Sequence, residues 1–305
     1  MSYYKQAIKI YPNLLNHHTS QRETSLNYNP EAEPSITGET FTNSGGETAL
    51  PCYDLVDDKL SAVVTTDSNG QTPNVTVDFD LSGNITANAI IVANHNFNTA
   101  GADISPEHTG TGMTIVTAWG GAQDVKGAFQ CSSETLGGAG SVALVVTPTD
   151  GLLLINFSDV TDNNWELVIE ENDTQFDADI TIGEVIISQK WTSPHAPEVT
   201  SWNDSVEYGN VINQAAGGQN YGVGYHGERK GWSLSWQHLT QTQYDNLQQV
   251  FRITKGSRHP FFIDLGEHAT NQYLHFVRLV GDSFSATPLA GGLFWNVSFQ
   301  IKAEL

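Results

Sequence analysis

Cysteines, basic side chains and long apolar runs are all scarce in this chain of 305 residues. Two cysteines, Cys52 and Cys131, are too few for a disulfide framework. We expect them to be free and largely buried, with a single bridge between them as the alternative.

The chain has no run of about 18 apolar residues and no basic N-terminus leading into an apolar stretch. We therefore expect no membrane insertion, no secretion signal, and a mature protein that begins at or near Met1.

Basic residues are few enough to make the chain strongly acidic. Thirteen lysines and arginines stand against 34 aspartates and glutamates, a formal net charge of −21. Residues 191–305 hold seven basic and nine acidic residues, so a net charge of −19 lies before residue 191. A field of that sign repels phosphate, so we expect no binding to nucleic acid by the first part of the chain. The uneven charge predicts two bodies with different surroundings.

Signatures of catalysis and of cofactor binding are lacking as well. The sequence contains no G-x-S-x-G elbow, no phosphate-binding loop of the Walker type and no H-E-x-x-H pair. Its glycine clusters do not stand between a strand and a long helix, where they would cradle a phosphate. Ten histidines are scattered without the spacing that metal ligands need. We predict a protein that is not an enzyme and that needs no cofactor.

Long helical periodicities are rare, whereas Gly, Asn, Thr and Ser are frequent, as in strands joined by many turns. The first 49 residues are interpreted as an N-terminal arm, with a short strand or docking segment in 1–15, and a polar linker. Apolar segments follow at short intervals with turn residues between them, which predicts a β-sandwich or jelly roll over residues 50–190. Its predicted strands are 75–81, 87–93, 114–118, 142–147, 152–157, 165–170 and 180–188.

The pattern changes near residue 190, where Pro194 and Pro197 suit an extended crossover. Residues 191–305 predict a second β-sandwich with one flanking helix, so the fold class is mainly β with two sandwich domains. The predicted strands are 205–211, 222–225, 231–237, 259–265, 273–280 and 293–301, and the predicted helix is 241–254.

Both ends of this helix are specified by side chains. Thr240 and Gln243 form a capping box, and Leu239 and Tyr244 are placed as a hydrophobic staple. Arg252 and Lys255 make the last turn cationic, and Gly256 follows as the C′ glycine.

One face of the helix is apolar, because Tyr244, Leu247 and Phe251 recur at helical spacing. Before the helix, Trp232 and Trp236 alternate with serines, as on one face of an antiparallel strand. We expect these five residues to pack the helix on a sheet and to support assembly.

The order of an aromatic strand, the motif L-T-x-x-Q-x-x-x-L-x-x-x-F over residues 239–251, a glycine and an apolar strand ending at Asp264 resembles the C-terminal halves of tailed-bacteriophage tail-tip proteins. In that family, the distal-tail and baseplate-hub proteins, the unit belongs to a β-sandwich that closes the tail tube as a ring. The resemblance implies a tail-tube-like β-sandwich in a ring of copies, expected to be a hexamer. It also implies other tail proteins, namely the tube, hub and fibres, as partners.

Residues 77–97, in which a D-F-D-L strand precedes an apolar strand ending in N-H-N, resemble the discoidin-like, galactose-binding-type jelly rolls of phage structural proteins. Here Ser82 interrupts the Leu-Gly pair of that pattern. The likeness implies an acidic jelly roll and, by analogy of fold, contact with a sugar. The candidate glycan contacts are Asn94, His95, Asn96 and the aromatic ring of Trp119. For His95 the alternative is a hydrogen-bonded turn that only fixes the loop.

Asp177 and Asp179, followed by Glu184, could bring hard oxygen ligands to a divalent cation. The spacing of an EF-hand is not met, so we expect no metal and keep a structural Ca²⁺ at Asp177 and Asp179 as the alternative.

These patterns favour a structural protein of a phage virion tail, assembled in the cytoplasm of the bacterial host, which forms a ring and displays the jelly roll outward. The alternative is a carbohydrate-binding adhesin or tail-fibre subunit that recognises glycans on the host surface. A ring of six copies, or a multiple of six, would favour the first function, and a trimer the second.

Overall fold

The protein is mainly β and of the β-sandwich type, as the sequence predicts. The computed structural model describes residues 7–15, 40–43, 50–51, 64–65, 75–97, 99–100, 102–108, 114–115, 151–171, 177–198, 203–214, 220–266, 274–282 and 285–304. Two compact units are present: an N-terminal unit, Tyr11–Lys190, and a C-terminal unit of Met1–Ile10 and Trp191–Leu305. Several predictions lie outside the described residues, namely those for Trp119, Cys52, Cys131, the linker within 16–39 and the strand at 142–147.

The elements of the N-terminal unit are β2 (Thr40–Asn43), β3 (Leu50–Pro51), β4 (Val64–Thr65), β5 (Val75–His95), β6 (Ala102–His108), β7 (Thr114–Ile115), β8 (Gly151–Glu171), β9 (Thr181–Ile182) and β10 (Glu184–Ser188). Those of the C-terminal unit are β11 (Trp191–Thr192), β12 (Asn203–Gln214), β13 (Asn220–Thr240), helix α1 (Gln241–Thr254), β14 (Phe261–Asp264), β15 (Leu274–Leu279), β16 (Ser285–Leu289) and β17 (Phe294–Ala303). Strand β1 (Lys9–Pro12) belongs to the sheet of the C-terminal unit.

The N-terminal unit is built on two long antiparallel strands, β5 and β8, in a sheet of order β3-β2-β5-β8-β6-β7. Strand β10 pairs with the second half of β5, and β4 pairs with β9 separately. The core contains β10 and residues 89–93 of β5, which are buried along their whole length. Burial of both faces explains why these strands show continuous apolar runs instead of alternation.

The predicted breaks inside β5 and β8 are wrong. The strands predicted at 75–81 and 87–93 are one strand, and so are those predicted at 152–157 and 165–170. The ladder continues because the turn-like residues are absorbed as an irregularity: Asp80 pairs with Asn164, and the next pair is Ile85 with Asp162. Extra residues on one strand of an antiparallel pair form a bulge and leave the pairing on either side intact.

The C-terminal unit contains an eight-stranded sheet of order β11-β1-β14-β15-β17-β13-β12, with β16 also paired to β17. Strand β17 is its centre, with β13 along one side and β15 and β16 sharing the other. The two strands predicted at 222–225 and 231–237 are one, because β12 continues the ladder through Glu207↔Arg229 and Tyr208↔Glu228. The crossover predicted from residue 191 is also partly strand, since β11 pairs with β1.

Helix α1 has the bounds that the sequence predicts, and its capping box is formed. The Gln243 backbone N–H donates to Thr240 Oγ1 at 3.4 Å, and the Thr240 N–H donates to Gln243 Oε1 at 2.9 Å. The C-cap is Lys255 with φ +50°, and the predicted C′ glycine, Gly256, follows it with φ +66°. The N–H of Gly256 donates to the carbonyl oxygen of Phe251 at 3.2 Å.

Candidate functional site

The five predicted packing residues lie together in the core of the C-terminal unit. Trp232, Trp236, Leu247 and Phe251 are buried, and Tyr244 is partly buried against them. The same cluster includes Ile8 and Ile10 of the N-terminal segment. Because the four buried side chains are enclosed by their own unit, they contribute to folding and are not available as a contact between copies. Their predicted role in assembly stays a prediction.

Aromatic rings order this core. Trp236 lies edge-on to Trp191 with ring centroids 5.8 Å apart, and Phe251 lies edge-on to Phe299 at 5.2 Å. The indole N–H of Trp236 donates to the carbonyl oxygen of His195 at 3.2 Å, so its polar atom is satisfied. The segment after β11 is fixed by the same interactions, since Ser193 Oγ also donates to His195 O at 2.8 Å.

Trp295 is a packing residue that the sequence reasoning missed. Its ring stacks on that of Tyr244, with centroids 4.3 Å apart, and its indole N–H donates to Gln241 Oε1 at 2.8 Å. Trp295 is also the cross-strand partner of Leu239. The predicted staple pair of Leu239 and Tyr244 is therefore part of a larger contact, and an aromatic residue in β17 at the level of the helix start was the signal that could have identified it.

Charged side chains of the C-terminal sheet form ion pairs with side chains of other strands. Arg278 Nε donates to Glu304 Oε1 at 2.8 Å, and an Arg229 nitrogen lies 3.9 Å from the other oxygen of that carboxylate. Lys302 forms an ion pair with Glu207 of β12. Lys302 and Glu207 belong to strands that β13 separates, and partly exposed ion pairs such as these stabilise a fold only modestly. The pairs place opposite charges side by side on this part of the sheet.

A shallow polar groove lies where β12, β13 and β17 are adjacent. Its lining includes Ser205, Glu207, Arg229, Ser233, Gln300 and Lys302. The side chains offer hydrogen-bond donors and acceptors in an open depression. Such a surface is suited to contact with another polar surface, and its chemistry does not identify a small ligand.

Five large apolar side chains of the C-terminal unit are exposed. Val206 and Tyr208 lie on β12 and are 54% and 57% exposed, and Val280 at the end of β15 is 50% exposed. Leu293 and Phe294, at the turn between β16 and β17, are 69% and 36% exposed. Apolar residues that are exposed in groups mark surfaces for interaction with other macromolecules. Val206 and Tyr208 lie opposite residues 228–230 of β13, whereas Phe294 lies opposite Thr240 at the other end of that strand, so these five candidate interface residues do not form one patch. Alternation along the strands did not identify them.

The predicted glycan contacts at the end of β5 form an internally bonded turn. Asn96 Nδ2 donates to the carbonyl oxygen of Asp179 at 2.8 Å, and Asn96 Oδ1 accepts from the Thr181 N–H at 2.8 Å. The His95 ring is buried and stacks on Phe97 at 4.1 Å. Asn94 is exposed and has φ +53°, which an asparagine tolerates in a turn. This geometry favours the turn that fixes the loop over a sugar contact at His95 and Asn96.

The predicted carboxylates of the N-terminal unit are placed differently from one another. Asp177 is exposed, Asp179 is partly buried, and Glu184 is buried within β10. Among the described residues there is no group of three His, Cys, Asp or Glu side chains that could hold a metal ion. In the same part of the chain, no helix is both long and apolar enough to cross a membrane.

One carboxyl group has a perturbed affinity for protons. Hydrogen bonds from the side chain and the backbone N–H of Ser257 hold the pKa of Asp282 below its ordinary value. Asp282 follows β15, and Ser257 follows the end of α1, so the bonds tie the loop after the helix to the turn after the strand. Gly256 permits this approach, because a Cβ there would lie 3.0 Å from the Asp282 Cα.

Neither protein-family models nor the curated proteins include a match to this chain.

Proposed function

We propose that this protein is a non-enzymatic structural component of the tail tip or baseplate of a tailed-phage virion, and that copies assemble into a closed ring through the C-terminal unit. The resemblance of residues 191–305 to distal-tail proteins motivates the proposal. The order β13, α1, β14 supports it, with the helix packed on the sheet through Leu247 and Phe251. A fold alone does not determine function, so the exposed residues of the C-terminal unit are considered next to its fold.

The observation that carries the proposal is the location of the exposed apolar residues. Five exposed large apolar side chains belong to the C-terminal unit, in which nine basic residues balance nine acidic ones. A surface that contacts copies of itself must avoid like-charge repulsion and must offer apolar area to remove from water. The strongly acidic N-terminal unit is suited to remain solvated, where its charge is screened beyond about 8 Å.

The test is the mass of the full-length protein in solution. Multi-angle light scattering across a concentration series should give a closed oligomer of six copies or a multiple of six, and negative-stain images should show rings. Because the interface is proposed to be apolar and nearly neutral, the oligomer should persist at 0.5 M salt. At that concentration the Debye length is about 4 Å, so exposed ion pairs are weak. A monomer at every concentration would overturn the proposal, and a trimer would favour the adhesin.

Glycan recognition by the N-terminal unit is the weaker candidate. The buried ring of His95 and the internally bonded Asn96 give it no support, and Trp119 lies outside the described residues. Two assays separate the candidates: binding of the full chain to arrayed host-envelope glycans, and release of reducing sugar from the same glycans. We expect neither binding nor release. Saturable binding would favour the adhesin, and sustained release would overturn the non-enzymatic proposal.

A further inference from the structure

The edge strands of the eight-stranded sheet differ in how well they are protected from pairing with another chain. Strand β11 has only two residues and is followed by Pro194 and Pro197, and β16 contains Pro288, which has no backbone N–H to donate. Short strands and prolines are the usual means of blocking an edge. Strand β12 has 12 residues, contains no proline or lysine, and pairs only with β13 among the described residues. Its pairing with β13 is irregular between Tyr208 and Asn210, so among the described residues Asn203–Tyr208 is the stretch of regular edge that no proline or lysine protects.

The first half of β12 is also exposed on both faces. All six side chains from Asn203 to Tyr208 are exposed, including the two large apolar ones, Val206 and Tyr208. These two residues lie two positions apart and so share one face of the strand. A long edge strand with exposed apolar residues offers both backbone hydrogen bonds and apolar area to a strand from another chain.

The residue order of β12 fits a second β12 in antiparallel pairing. A two-fold axis at Val206 places Val206 opposite its own copy, Asp204 opposite Tyr208 and Ser205 opposite Glu207. Asp204 then faces Tyr208, whose hydroxyl donates to Glu228 of its own chain at 3.2 Å, and no like charges are directly opposed. An axis at Asp204 or at Glu207 would set two carboxylates against each other, which destabilises a sheet. An axis at Ser205 would set Val206 against Asp204. An axis at Tyr208 would oppose two tyrosines but would set Val206 against Asn210, and the axis at Glu207 pairs Val206 with Tyr208 only at the cost of the opposed carboxylates. The register centred on Val206 opposes two apolar side chains and no like charges.

We infer that β12 is a self-recognition edge, which pairs with β12 of a second copy about a two-fold axis at Val206. The contact is isologous, so each copy contributes the same residues. A closed ring can contain such a contact when it is built from dimers. The inference rests on the proposed function in taking a second copy as the partner.

The first test places a charge at the centre of the contact. In Val206→Lys, two lysines would oppose each other at the axis, so the dissociation constant of the dimer step should rise about tenfold or more. Sedimentation velocity of the full chain across a concentration series measures this constant. The control is Thr287→Lys, which places the same charge at an exposed position on β16, the edge that Pro288 protects. It should leave the constant within about twofold, and melting temperatures should show that both variants fold.

The second test reads the register. In a background with Cys52 and Cys131 replaced by serine, Val206→Cys should give a covalent dimer with a short bifunctional maleimide, because the two thiols are adjacent at the axis. Asn203→Cys is the control, since its opposite residue is Gly209 of the other copy and its own thiols are far apart. Equal cross-linking of both variants, or of neither, would overturn the register.

The outcomes distinguish this inference from the proposed function. If the wild-type chain is a monomer throughout, the proposed assembly fails. If the wild type assembles and Val206→Lys assembles equally well, the ring survives and the β12 contact is wrong. Loss of assembly in Thr287→Lys but not in Val206→Lys would assign the contact to the β16 edge and would equally overturn the inference.

Discussion

The ring of Tyr244 on helix α1 stacks on the ring of Trp295 on β17, with centroids 4.3 Å apart and planes 11° from parallel. The contact joins the first turn of the helix to the central strand of the sheet. The contact lies next to the capping box, because Trp295 is opposite Leu239 on β13 and Phe294 is opposite Thr240, the N-cap residue. The helix start is therefore held by a backbone cap and by an aromatic contact at the same level of the sheet.

This relationship predicts an energetic coupling. Tyr244→Leu and Trp295→Leu should each lower the free energy of unfolding. The loss in the double variant should be smaller than the sum of the two single losses by about 0.5–1.5 kcal/mol, because each single variant already removes the stacking contact. Denaturant unfolding of the four proteins measures the cycle. Gln248→Leu with Trp295→Leu provides the comparison, and a coupling of similar size there would show that the effect is not specific to the stacked rings.

The helix face makes a second prediction. Leu247 is fully buried between α1 and the sheet, so Leu247→Ala should lower the free energy of unfolding by about 2–5 kcal/mol. Leu247→Asp should give insoluble protein, because it buries an unpaired charge. Gln249→Ala, on the exposed side of the same helix turn, should change stability by less than about 0.5 kcal/mol. Near-native melting of Leu247→Asp would contradict the packing described here.

Local signals predicted the helix well, whereas the strands needed information from their partners. The capping box at Thr240 and Gln243 involves residues three apart, so the sequence contains the whole signal. The predicted break in β5 between Leu81 and Ala87 is not a break, because β8 continues the pairing through an irregularity. A turn-like stretch and a bulge have similar compositions, and only the opposite strand distinguishes them.

The candidate interface was predictable only in part. A strand near residues 205–211 was predicted, but alternation of apolar and polar residues normally indicates one buried face, and Val206 and Tyr208 are exposed. Whether such a face is covered depends on the strand's place in the sheet, which is set by pairing between distant segments. The same limit applies to β1: Ile8 donates to Ser193 Oγ across 185 positions of sequence, and no local pattern encodes that contact.

The end of the helix predicts a stabilising substitution. Lys255 has φ +50°, a conformation that costs a residue with a Cβ about 1 kcal/mol and costs glycine little. Lys255→Gly should therefore raise the free energy of unfolding by about 0.5–1 kcal/mol. The matched control is Gln249→Gly, which should lower it by about 1 kcal/mol, since glycine in a helix interior is unfavourable. If both variants lost stability, the left-handed conformation would not be the limiting factor at residue 255.

The Ser257–Asp282 contact predicts a dependence on pH. Because hydrogen bonds from Ser257 lower the pKa of Asp282 below 3.8 in the folded protein, the ionised carboxylate favours folding. That contribution is fully present above pH 3.8 and is lost as the pH falls through the lowered folded-state value. The difference in melting temperature between the wild type and Asp282→Asn should be largest near neutral pH and should shrink in acid. In the Ser257→Ala background, Asp282→Asn should have little further effect, and a difference that stayed constant with pH would rule out this linkage.

The last prediction concerns β1, which lies between β11 and β14 in the sheet of the C-terminal unit. Ile8 and Ile10 are fully buried in the same cluster as Trp236 and Leu247, so a fragment of residues 191–305 would lack part of its own core and one strand of its sheet. We expect that fragment to be poorly folded, with weakly dispersed amide NMR signals, and to recover dispersion when a peptide of residues 1–12 is added. In the full chain, Ile10→Ala should cost about 2–5 kcal/mol, whereas Thr192→Ala, at an exposed position on the neighbouring strand, should cost less than about 1 kcal/mol. The peptide with Ile8 and Ile10 replaced by serine is the control, and it should not restore the signals. A fragment of residues 191–305 that melts like the intact protein would show that β1 adds nothing to this sheet.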